Sequence, residues 1–271
     1  MRYYRFKEGA LSPIDEVFFK RSDNLFVFET FLVRDGSVSF FPEHITRWKY
    51  ALNLSERNLI SFFECWKIFV LNNYRQGCFR VSLFTDSNEF GCSICKFVNW
   101  NSELFENGVT VGLEEFSRPN ADKKYLTSVY DHYSRKAADR GVEEIVFTDQ
   151  GIVLEGNITN IFCCDAGGSK VYTPSLGGIL PGISRDRFIW NLASEGCVVE
   201  ERLILVEELE DMAGVFLTNT VRGIIPVREI DGFKTYDIGV SQAFRSWFNN
   251  VLQIQEYHLY DLDIQSLVLG L

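Results

Sequence analysis

The segment from Gly177 to Arg185, GGILPGISR, constrains the fold more than any other part of this chain. It predicts a tight glycine loop that leads directly into an amphipathic helix. The first backbone N–H groups of a helix have no partner within the helix, and the helix dipole is positive at that end. Glycines also let a phosphate approach the main chain, so the segment indicates a site for a phosphorylated ligand. The alternative, an ordinary loop before a helix, is not excluded by this segment alone.

The composition indicates a sizeable acidic protein. Its 271 residues, 46% of them hydrophobic and 15% aromatic, can form one large core or two smaller ones, and we expect two lobes. The formal net charge is -10, and no dense block of Lys and Arg interrupts the chain. Nucleic acid is therefore an unsuitable partner, because its phosphates require a basic surface.

The cysteines and the N-terminal sequence indicate the compartment. Seven cysteines and three histidines show no metal-ligand spacing, so we expect reduced thiols and no metal site. The N-terminal sequence MRYYRF lacks the apolar core of a signal peptide, and no segment is apolar for long enough to span a bilayer. We therefore expect a cytoplasmic protein that does not enter a membrane.

The N-terminal part of the chain predicts a small α+β lobe over residues 1–117. Alternating residues on both sides of the turn Arg34-Asp35-Gly36 predict a hairpin between Leu25 and Phe41. The remaining predicted elements are helices over Pro42–Leu52 and Ser55–Tyr74 and strands over Cys78–Thr85, Ser93–Val98 and Val109–Leu113. A polar stretch over 118–124 predicts the linker to a second lobe.

The larger lobe is predicted over residues 125–271. Its first helix, Tyr125–Arg140, should end at Gly141, because glycine adopts the left-handed conformation of a C-cap. The other predicted elements are strands over Glu144–Thr148, Ile152–Leu154, Asn160–Cys164, Lys170–Tyr172, Val198–Leu203, Val215–Leu217 and Ile224–Ile230 and helices over Gly182–Ser194 and Tyr236–Leu252.

Four further elements accompany the glycine loop along the chain: Arg47, Lys123, the segment LEGNITN at 154–160 and the segment LTNTVRG at 217–223. Together they resemble the class IV aminotransferases. This family of pyridoxal-phosphate enzymes includes branched-chain and D-amino-acid aminotransferases and aminodeoxychorismate lyases. The resemblance extends from Phe28 to Val227. It implies an α+β, fold-type IV architecture of two lobes, in which the larger C-terminal lobe has a β-barrel-like core. It also implies a homodimer that binds pyridoxal 5'-phosphate.

The resemblance assigns the covalent role to Lys123. In this family a lysine forms an imine with the cofactor aldehyde, which requires an amine that its surroundings partly deprotonate. Lys124 is the rival, but an alignment without gaps from Gly141 back to Asp131 places the family's lysine at Lys123. The separation of 32 positions from Lys123 to Glu155 also fits the family. Without the neighbouring motifs, a solvated lysine pair on a linker would be the preferred interpretation.

Glu155 and a set of phosphate ligands complete the implied cofactor site. A carboxylate at position 155 would keep the pyridine nitrogen protonated, which makes the ring a better electron sink. Asn160 is expected to satisfy turn backbone rather than contact the substrate. The implied phosphate ligands are the backbone N–H groups of Ile183 and Ser184, the hydroxyl of Ser184 or Thr220, and the guanidinium of Arg47. Arg185 is an alternative, although a surface salt bridge is the preferred interpretation for it.

The cofactor motifs do not separate a lyase from a transaminase, because both reactions begin with the same steps. The segment NTVRG at 219–223 resembles the lyase form, so we expect an aminodeoxychorismate lyase that forms p-aminobenzoate and pyruvate. The alternative within the family is a branched-chain or D-amino-acid aminotransferase. Candidate substrate ligands are Arg34, Arg80, Asn219 and Arg222.

One departure from the family pattern supports a third alternative. The family has a glycine-aspartate-glycine turn before its Phe-Glu-Thr segment, whereas this chain has SDNLFV at 22–27. That region shapes the substrate side of the pocket. A non-catalytic protein that keeps the fold and binds a phosphorylated ligand therefore remains an alternative.

Overall fold

The computed structural model describes residues 1–15, 26–52, 55–85, 89–97, 102–254 and 256–270. Their strands are β1 (Arg2–Lys7), β2 (Ala10–Ile14), β3 (Val27–Arg34), β4 (Ser37–Ser39), β5 (Cys78–Thr85), β6 (Phe90–Lys96), β7 (Val109–Glu115), β8 (Glu144–Asp149), β9 (Ile152–Gly156), β10 (Asn160–Cys164), β11 (Lys170–Pro174), β12 (Val198–Arg202), β13 (Gly214–Asn219), β14 (Gly223–Ile230), β15 (Lys234–Thr235) and β16 (Glu256–His258). Their α-helices are α1 (Phe41–Leu52), α2 (Glu56–Asn73), α3 (Ser102–Asn107), α4 (Ser128–Arg140), α5 (Ile183–Ser194), α6 (Gly239–Ile254) and α7 (Ile264–Leu269).

The chain divides into two units, and each unit draws on more than one segment of the sequence. Unit 1 comprises Met1–Val98, Lys124–Leu126 and Leu252–Leu271, and unit 2 comprises Asn99–Lys123 and Thr127–Val251. This division differs from the predicted boundaries of 1–117, 118–124 and 125–271. The difference arises because a segment joins the unit that contains the strand it pairs with, and these partner strands lie far away along the chain.

Unit 1 is built on an antiparallel sheet with its helices over one face. Among the described residues the strand order is β16-β4-β3-β5-β6-β1-β2. The predicted hairpin is confirmed as β3 and β4, joined at Asp35 and Gly36, which both have the positive φ that a two-residue hairpin turn requires. The buried residues of β3 alternate and face α1 and α2 in a core rich in Phe and Trp. Glu29 lies on this buried face, among residues that are otherwise apolar.

Unit 2 is built on a curled, mixed sheet. Among the described residues the strand order is β12-β11-β10-β13-β14-β7-β8-β9, and β15 pairs with β14. The two ends of this order meet, because Val153 in β9 donates to the carbonyl of Ile204 at 2.8 Å, just beyond β12. Val206 likewise donates to the carbonyl of Gly151 at 2.9 Å. The predicted α+β class and barrel-like core are confirmed.

Two predictions about the chain's path are wrong. Strand β7 was expected to complete the N-terminal lobe, but it pairs in parallel with β8 and β14 in unit 2. The C-terminal residues were assigned to the second lobe, but β16 pairs with β4 and α7 packs on the core of unit 1. Neither pairing leaves a local signal in the sequence, because the partner strands lie far away along the chain.

Two helices begin three residues later than predicted. Helix α4 begins at Ser128 because Tyr125 forms an antiparallel bridge with Val27. Helix α6 begins at Gly239 because Tyr236 is buried, with its N–H bonded to the carbonyl of Arg228. The predicted C-cap of α4 is confirmed, since Gly141 has a φ of 69°.

The structure also bears on membrane and metal sites. Within the described ranges, no helix combines the length and the apolar character that a membrane crossing needs. The same residues contain no cluster of His, Cys, Asp and Glu with the geometry of a metal site. All seven cysteines are free thiols.

Candidate functional site

Glu155 is a buried carboxylate at the end of β9, with only 3% of its surface exposed. Its Oε1 accepts from Arg118 Nη2 at 2.5 Å and from Arg118 Nε at 3.1 Å. Its Oε2 accepts from the backbone N–H of Leu180 at 2.9 Å, inside the glycine loop. A Cβ at residue 156 would overlap the side-chain oxygens of Thr159 and Glu144, and glycine avoids this overlap. Glu155 therefore connects the end of β9 with the glycine loop.

The glycine loop is also held from its other side. Asn160 donates from Nδ2 to the carbonyl of Leu180 at 2.9 Å, so this asparagine satisfies loop backbone. A Cβ on Gly182 would overlap the Asn160 side-chain oxygen. Glycine at position 182 therefore lets the start of α5 approach β10 closely.

The N-terminus of α5 has the features of an anion site. Its N-cap is Gly182, which has no side chain to cap the first N–H groups. Ile183 and Ser184 are buried, and no other described residue forms a hydrogen bond with the buried Ser184 hydroxyl. An orphaned hydroxyl beside free helix N–H groups fits a phosphate, which would supply the missing acceptors. The residues present therefore fit the phosphate end of the implied cofactor.

In unit 1, Arg47 of α1 forms an ion pair with the buried Glu29. Arg47 donates from Nε to Oε1 at 2.7 Å and from Nη2 to Oε2 at 2.6 Å. The ring nitrogen Nδ1 of the buried His44 is 2.7 Å from the same Oε2. His44 and Arg47 are three residues apart and so share one face of α1. This bidentate grip fixes the guanidinium plane of Arg47.

The electrostatics of this cluster follow from burial and neighbouring charge. Burial acts to raise the pKa of Glu29, but Arg47 and His44 outweigh it, and the pKa lies far below its usual value. Burial lowers the pKa of His44, and the positive charges of Arg47 and Lys124 lower it further against the opposing effect of Glu29. At neutral pH the cluster therefore combines an ionised Glu29 with a neutral His44 and a positively charged Arg47.

The two lysines of the predicted linker have different surroundings. The carbonyl of Lys123 accepts from Arg118 Nη1 at 3.4 Å, and the side chain of Lys123 is half-buried. The carbonyl of Lys124 accepts from the N–H of Phe28 at 2.9 Å. The Lys124 ammonium lies 5.1 Å from the centre of the Phe28 ring. The chain passes from unit 2 to unit 1 between these two residues.

The turn at 219–222 is stabilised by its own asparagine. Asn219 Oδ1 accepts from the N–H groups of Val221 at 3.1 Å and Arg222 at 2.8 Å, and Nδ2 donates to the carbonyl of Ile158 at 3.4 Å. Thr220 is half-buried in this turn. Asn219 therefore has a structural use, and its predicted contact with a substrate stays a prediction.

The candidate substrate arginines lie in different places. Arg222 Nη1 is 4.0 Å from the buried Glu144 carboxylate, which connects this turn with β8. Burial raises the pKa of Glu144, and the charge of Arg222 opposes that rise. Arg80 is half-buried on β5. Arg34 is exposed at the far end of β3, five residues and about 17 Å from Glu29.

Arg185 differs from its predicted environment. A surface salt bridge was expected, but the side chain is 1% exposed. It donates to Glu201 at 2.6 Å, to Asp186 at 3.1 Å and to the carbonyl of Pro174 at 2.9 Å. The prediction of an ion pair is confirmed, whereas the prediction of a surface position is wrong, because residue 185 faces β11 rather than solvent.

Sequence reasoning missed three residues of these networks: Arg118, Glu29 and His44. Arg118 stands in a polar stretch, where an arginine is ordinarily solvated. The positions of Glu29 and His44 carried a signal, because an acid on the buried face of an alternating strand needs a basic partner.

Comparisons with known proteins show the family of the chain. The model of the amino-transferase class IV family matches residues 26–230. The chain is 29% identical to a probable branched-chain-amino-acid aminotransferase of Thermotoga maritima over 84% of this chain and 85% of that protein. It is 28% identical to an aminodeoxychorismate lyase of Bacillus subtilis over 85% of each protein.

Solved structures show the same fold. One of them is an aminotransferase of Brucella abortus bound to the cofactor PLP, with a TM-score of 0.76 and 19% identity. The match covers 93% of this chain and all of that one. At this identity, the likeness bears on the fold alone.

Proposed function

Because the chain belongs to the amino-transferase class IV family, we propose that it is an enzyme that uses pyridoxal 5'-phosphate. One observation carries this proposal: Glu155 is bonded to Leu180, in the same loop that ends at the orphaned Ser184 hydroxyl. A carboxylate for the pyridine nitrogen and an anion site for the phosphate are thus parts of one hydrogen-bonded segment. A protein of the same fold, the Brucella abortus aminotransferase, has been solved with PLP bound.

The chain's own residues divide the work at this site. When bound, the cofactor supplies an electron sink for the carbanion formed at the substrate α-carbon. Glu155 would hold a negative charge beside the ring nitrogen, and Ile183, Ser184 and Thr220 would offer hydrogen-bond donors to the phosphate. Arg47 adds a cation whose orientation Glu29 fixes.

The covalent lysine is one of the adjacent pair. The resemblance assigns the role to Lys123, and the spacing to Glu155 agrees with it. Lys124 is the second candidate, because its charge lowers the pKa of His44 and its ammonium lies over the ring of Phe28. Borohydride reduction of the protein loaded with PLP, followed by peptide mass spectrometry, would label one of the two residues. The label should disappear in only one of the variants Lys123→Arg and Lys124→Arg.

For the reaction, we propose 4-amino-4-deoxychorismate lyase activity, which forms p-aminobenzoate and pyruvate. Support comes from the NTVRG turn at 219–223 and from the similarity to the Bacillus subtilis lyase. The elimination needs no amino acceptor. Candidate ligands for a substrate carboxylate are Arg34, Arg80 and Arg222, with Asn219 in the same turn as Arg222.

The second candidate is a transaminase for branched-chain or D-amino acids, which the similarity to the Thermotoga maritima protein favours. One experiment separates the two reactions. The PLP-loaded protein is incubated with aminodeoxychorismate alone, and then with amino-acid and keto-acid pairs. Release of p-aminobenzoate without a keto acid supports the lyase. Conversion of the cofactor to its pyridoxamine form by an amino acid alone supports the transaminase.

A non-catalytic protein is the outcome if neither reaction occurs. In that case the protein would show no visible absorbance band with PLP, and borohydride would label neither Lys123 nor Lys124. We also propose a homodimer, because the resemblance places the site beside a second subunit. Sedimentation equilibrium of the loaded protein should give about twice the chain mass, and a monomer would contradict this part of the proposal.

A further inference from the structure

Arg118 occupies a buried position that is unusual for an arginine in a segment without helix or strand. Its side chain is 8% exposed. Besides its two hydrogen bonds to Glu155, it donates to the Tyr130 hydroxyl at 3.2 Å. It also donates to the carbonyls of Ala121 at 3.1 Å and Lys123 at 3.4 Å. One guanidinium thus connects the acid at 155 to the backbone that carries the lysine pair.

The planar guanidinium suits this role better than an ammonium group. Arginine offers five N–H donors in a fixed geometry, whereas a lysine offers a single point charge. Burial acts to lower the pKa of Arg118, but the charge of Glu155 and the hydroxyl of Tyr130 outweigh it. Arg118 therefore stays charged, and its charge favours the ionised form of Glu155.

We propose that Arg118 is a positioning residue that keeps Glu155 ionised and oriented and fixes the backbone of Lys123. The inference rests on the proposed function, in which Glu155 faces the ring nitrogen of PLP. If Glu155 is held as a carboxylate, a proton shared with the ring nitrogen stays on the nitrogen. Without Arg118, the buried Glu155 would lose the cation that favours its ionised form, so it would take up a proton or turn away, and the ring nitrogen would lose its positive charge.

This loss has a spectroscopic consequence. The ring nitrogen is conjugated with the bond between the lysine and the cofactor, so its positive charge disfavours a second proton at that bond. Removing the charge should raise the pH midpoint at which the visible band of the lysine-bound cofactor changes. We expect Arg118→Met and Glu155→Gln each to raise the midpoint by roughly one pH unit or more.

A double-mutant cycle tests the mechanism. If Arg118 acts through Glu155, adding Arg118→Met to Glu155→Gln should shift the midpoint no further. Arg135→Met is the matched control, since Arg135 is an exposed arginine of α4 that bonds only to the carbonyl of Asp131 among the contacts seen here. It should leave the midpoint and the PLP affinity unchanged.

The variant Arg118→Lys covers the case in which Arg118→Met does not fold. It keeps the charge but loses most of the donors, so we expect an intermediate midpoint and PLP affinity weakened on the order of tenfold. An Arg118→Lys protein that matches the Arg135→Met control would overturn the inference, as would additive shifts in the double mutant. Failure of the proposed function is a separate result, because the wild-type protein would then show no visible band at all.

Discussion

Arg47 and Glu29 form a bidentate ion pair, with N–O distances of 2.7 and 2.6 Å, in which the carboxylate is 1% exposed and the guanidinium 17% exposed. The more exposed partner is the one that the proposed function directs to the cofactor phosphate. The pair therefore holds the guanidinium of Arg47 in one orientation. An arginine without this partner would sample several orientations and bind a phosphate less tightly.

The first prediction concerns Arg47. Charge-assisted hydrogen bonds contribute about 1.5–3 kcal/mol, so Arg47→Ala should raise the Kd for PLP by roughly 10- to 150-fold. Arg57→Ala on the exposed surface of α2 is the matched control and should leave the Kd unchanged. Titration of the visible band with PLP measures both. Equal affinities in the two variants would show that Arg47 does not bind the phosphate.

Glu29 gives a separate prediction about stability. Removing one partner of a buried ion pair leaves the other uncompensated, at a cost of about 3–5 kcal/mol. Because Arg47 keeps some access to solvent, we expect Glu29→Gln to lower the free energy of unfolding by an amount near the lower end of that range. Urea unfolding of the protein without PLP measures this change. A loss below about 0.5 kcal/mol, typical of a surface substitution, would contradict the prediction.

Between pH 7 and 5, His44 should make the protein less stable as the pH falls. The pKa of His44 is lowered from 6.5 in the folded state, so the unfolded chain binds more protons below that pH. Stability is therefore complete above about pH 6.5 and falls as the pH decreases, by up to about 1.4 kcal/mol per pH unit. Glu29 does not contribute in this window, because its lowered pKa makes its stabilisation fall only below the ordinary value of 4.5.

Substitution separates His44 from the other two histidines. His44→Gln should flatten the dependence of the unfolding free energy on pH between 7 and 5. The charged groups that act on His44 are Glu29, Arg47 and Lys124, and all three remain in this variant. His132→Gln is the control, because His132 is exposed on α4. If the two variants have the same slope, His44 is not the titrating group.

Much of the fold could be predicted from the sequence, because its signals are local. Alternation and the turn at Asp35-Gly36 identified the β3–β4 hairpin, and Gly141 marked the end of α4. The placement of β7 could not be predicted in this way. Its residues indicate a strand, but only tertiary packing decides that the strand joins β14 rather than the nearer β6.

The residues of the candidate site also differ in whether a local signal in the sequence identifies them. The glycine loop and Glu155 were found because each lies in a short segment of distinctive residues. Arg118 was missed because its partners, Tyr130 and Glu155, lie 12 and 37 residues away, and nothing near it indicates that it is buried. Glu29 was part of the segment that carried the resemblance, yet its partners only become apparent when α1 packs on β3.

The buried hydroxyls of Ser184 and Thr173 should behave in opposite ways. Thr173 Oγ1 donates to the carbonyl of Ile161 at 2.8 Å, so Thr173→Val should cost about 1 kcal/mol of unfolding free energy and leave PLP binding unchanged. Ser184 has no such partner in the described chain, so Ser184→Ala should preserve the stability of the protein without PLP. It should weaken PLP binding roughly tenfold through the lost bond to phosphate. The prediction fails if Ser184→Ala loses stability but no affinity.

A side chain at residue 182 should weaken the protein because it would overlap Asn160. A Cβ at residue 182 would overlap Asn160 Oδ1, so Gly182→Ala must displace the Asn160 side chain or the start of α5, at a cost of about 1–3 kcal/mol. Gly167→Ala is the control, because the nearest atom to a Cβ there is 4.0 Å away. We expect weaker PLP binding in Gly182→Ala and wild-type binding in Gly167→Ala.

The double variant Gly182→Ala/Asn160→Ala identifies the cause. Asn160→Ala alone should weaken the loop, since its bond to the Leu180 carbonyl is lost. In the Gly182→Ala background, Asn160→Ala also removes the atom that the new Cβ overlaps. The losses of stability and PLP affinity in the double variant should therefore be smaller than the sum of the losses in the two single variants. PLP titration and urea unfolding of all four proteins measure the coupling. Strictly additive losses would mean that the close approach of α5 to Asn160 does not explain the glycine at residue 182.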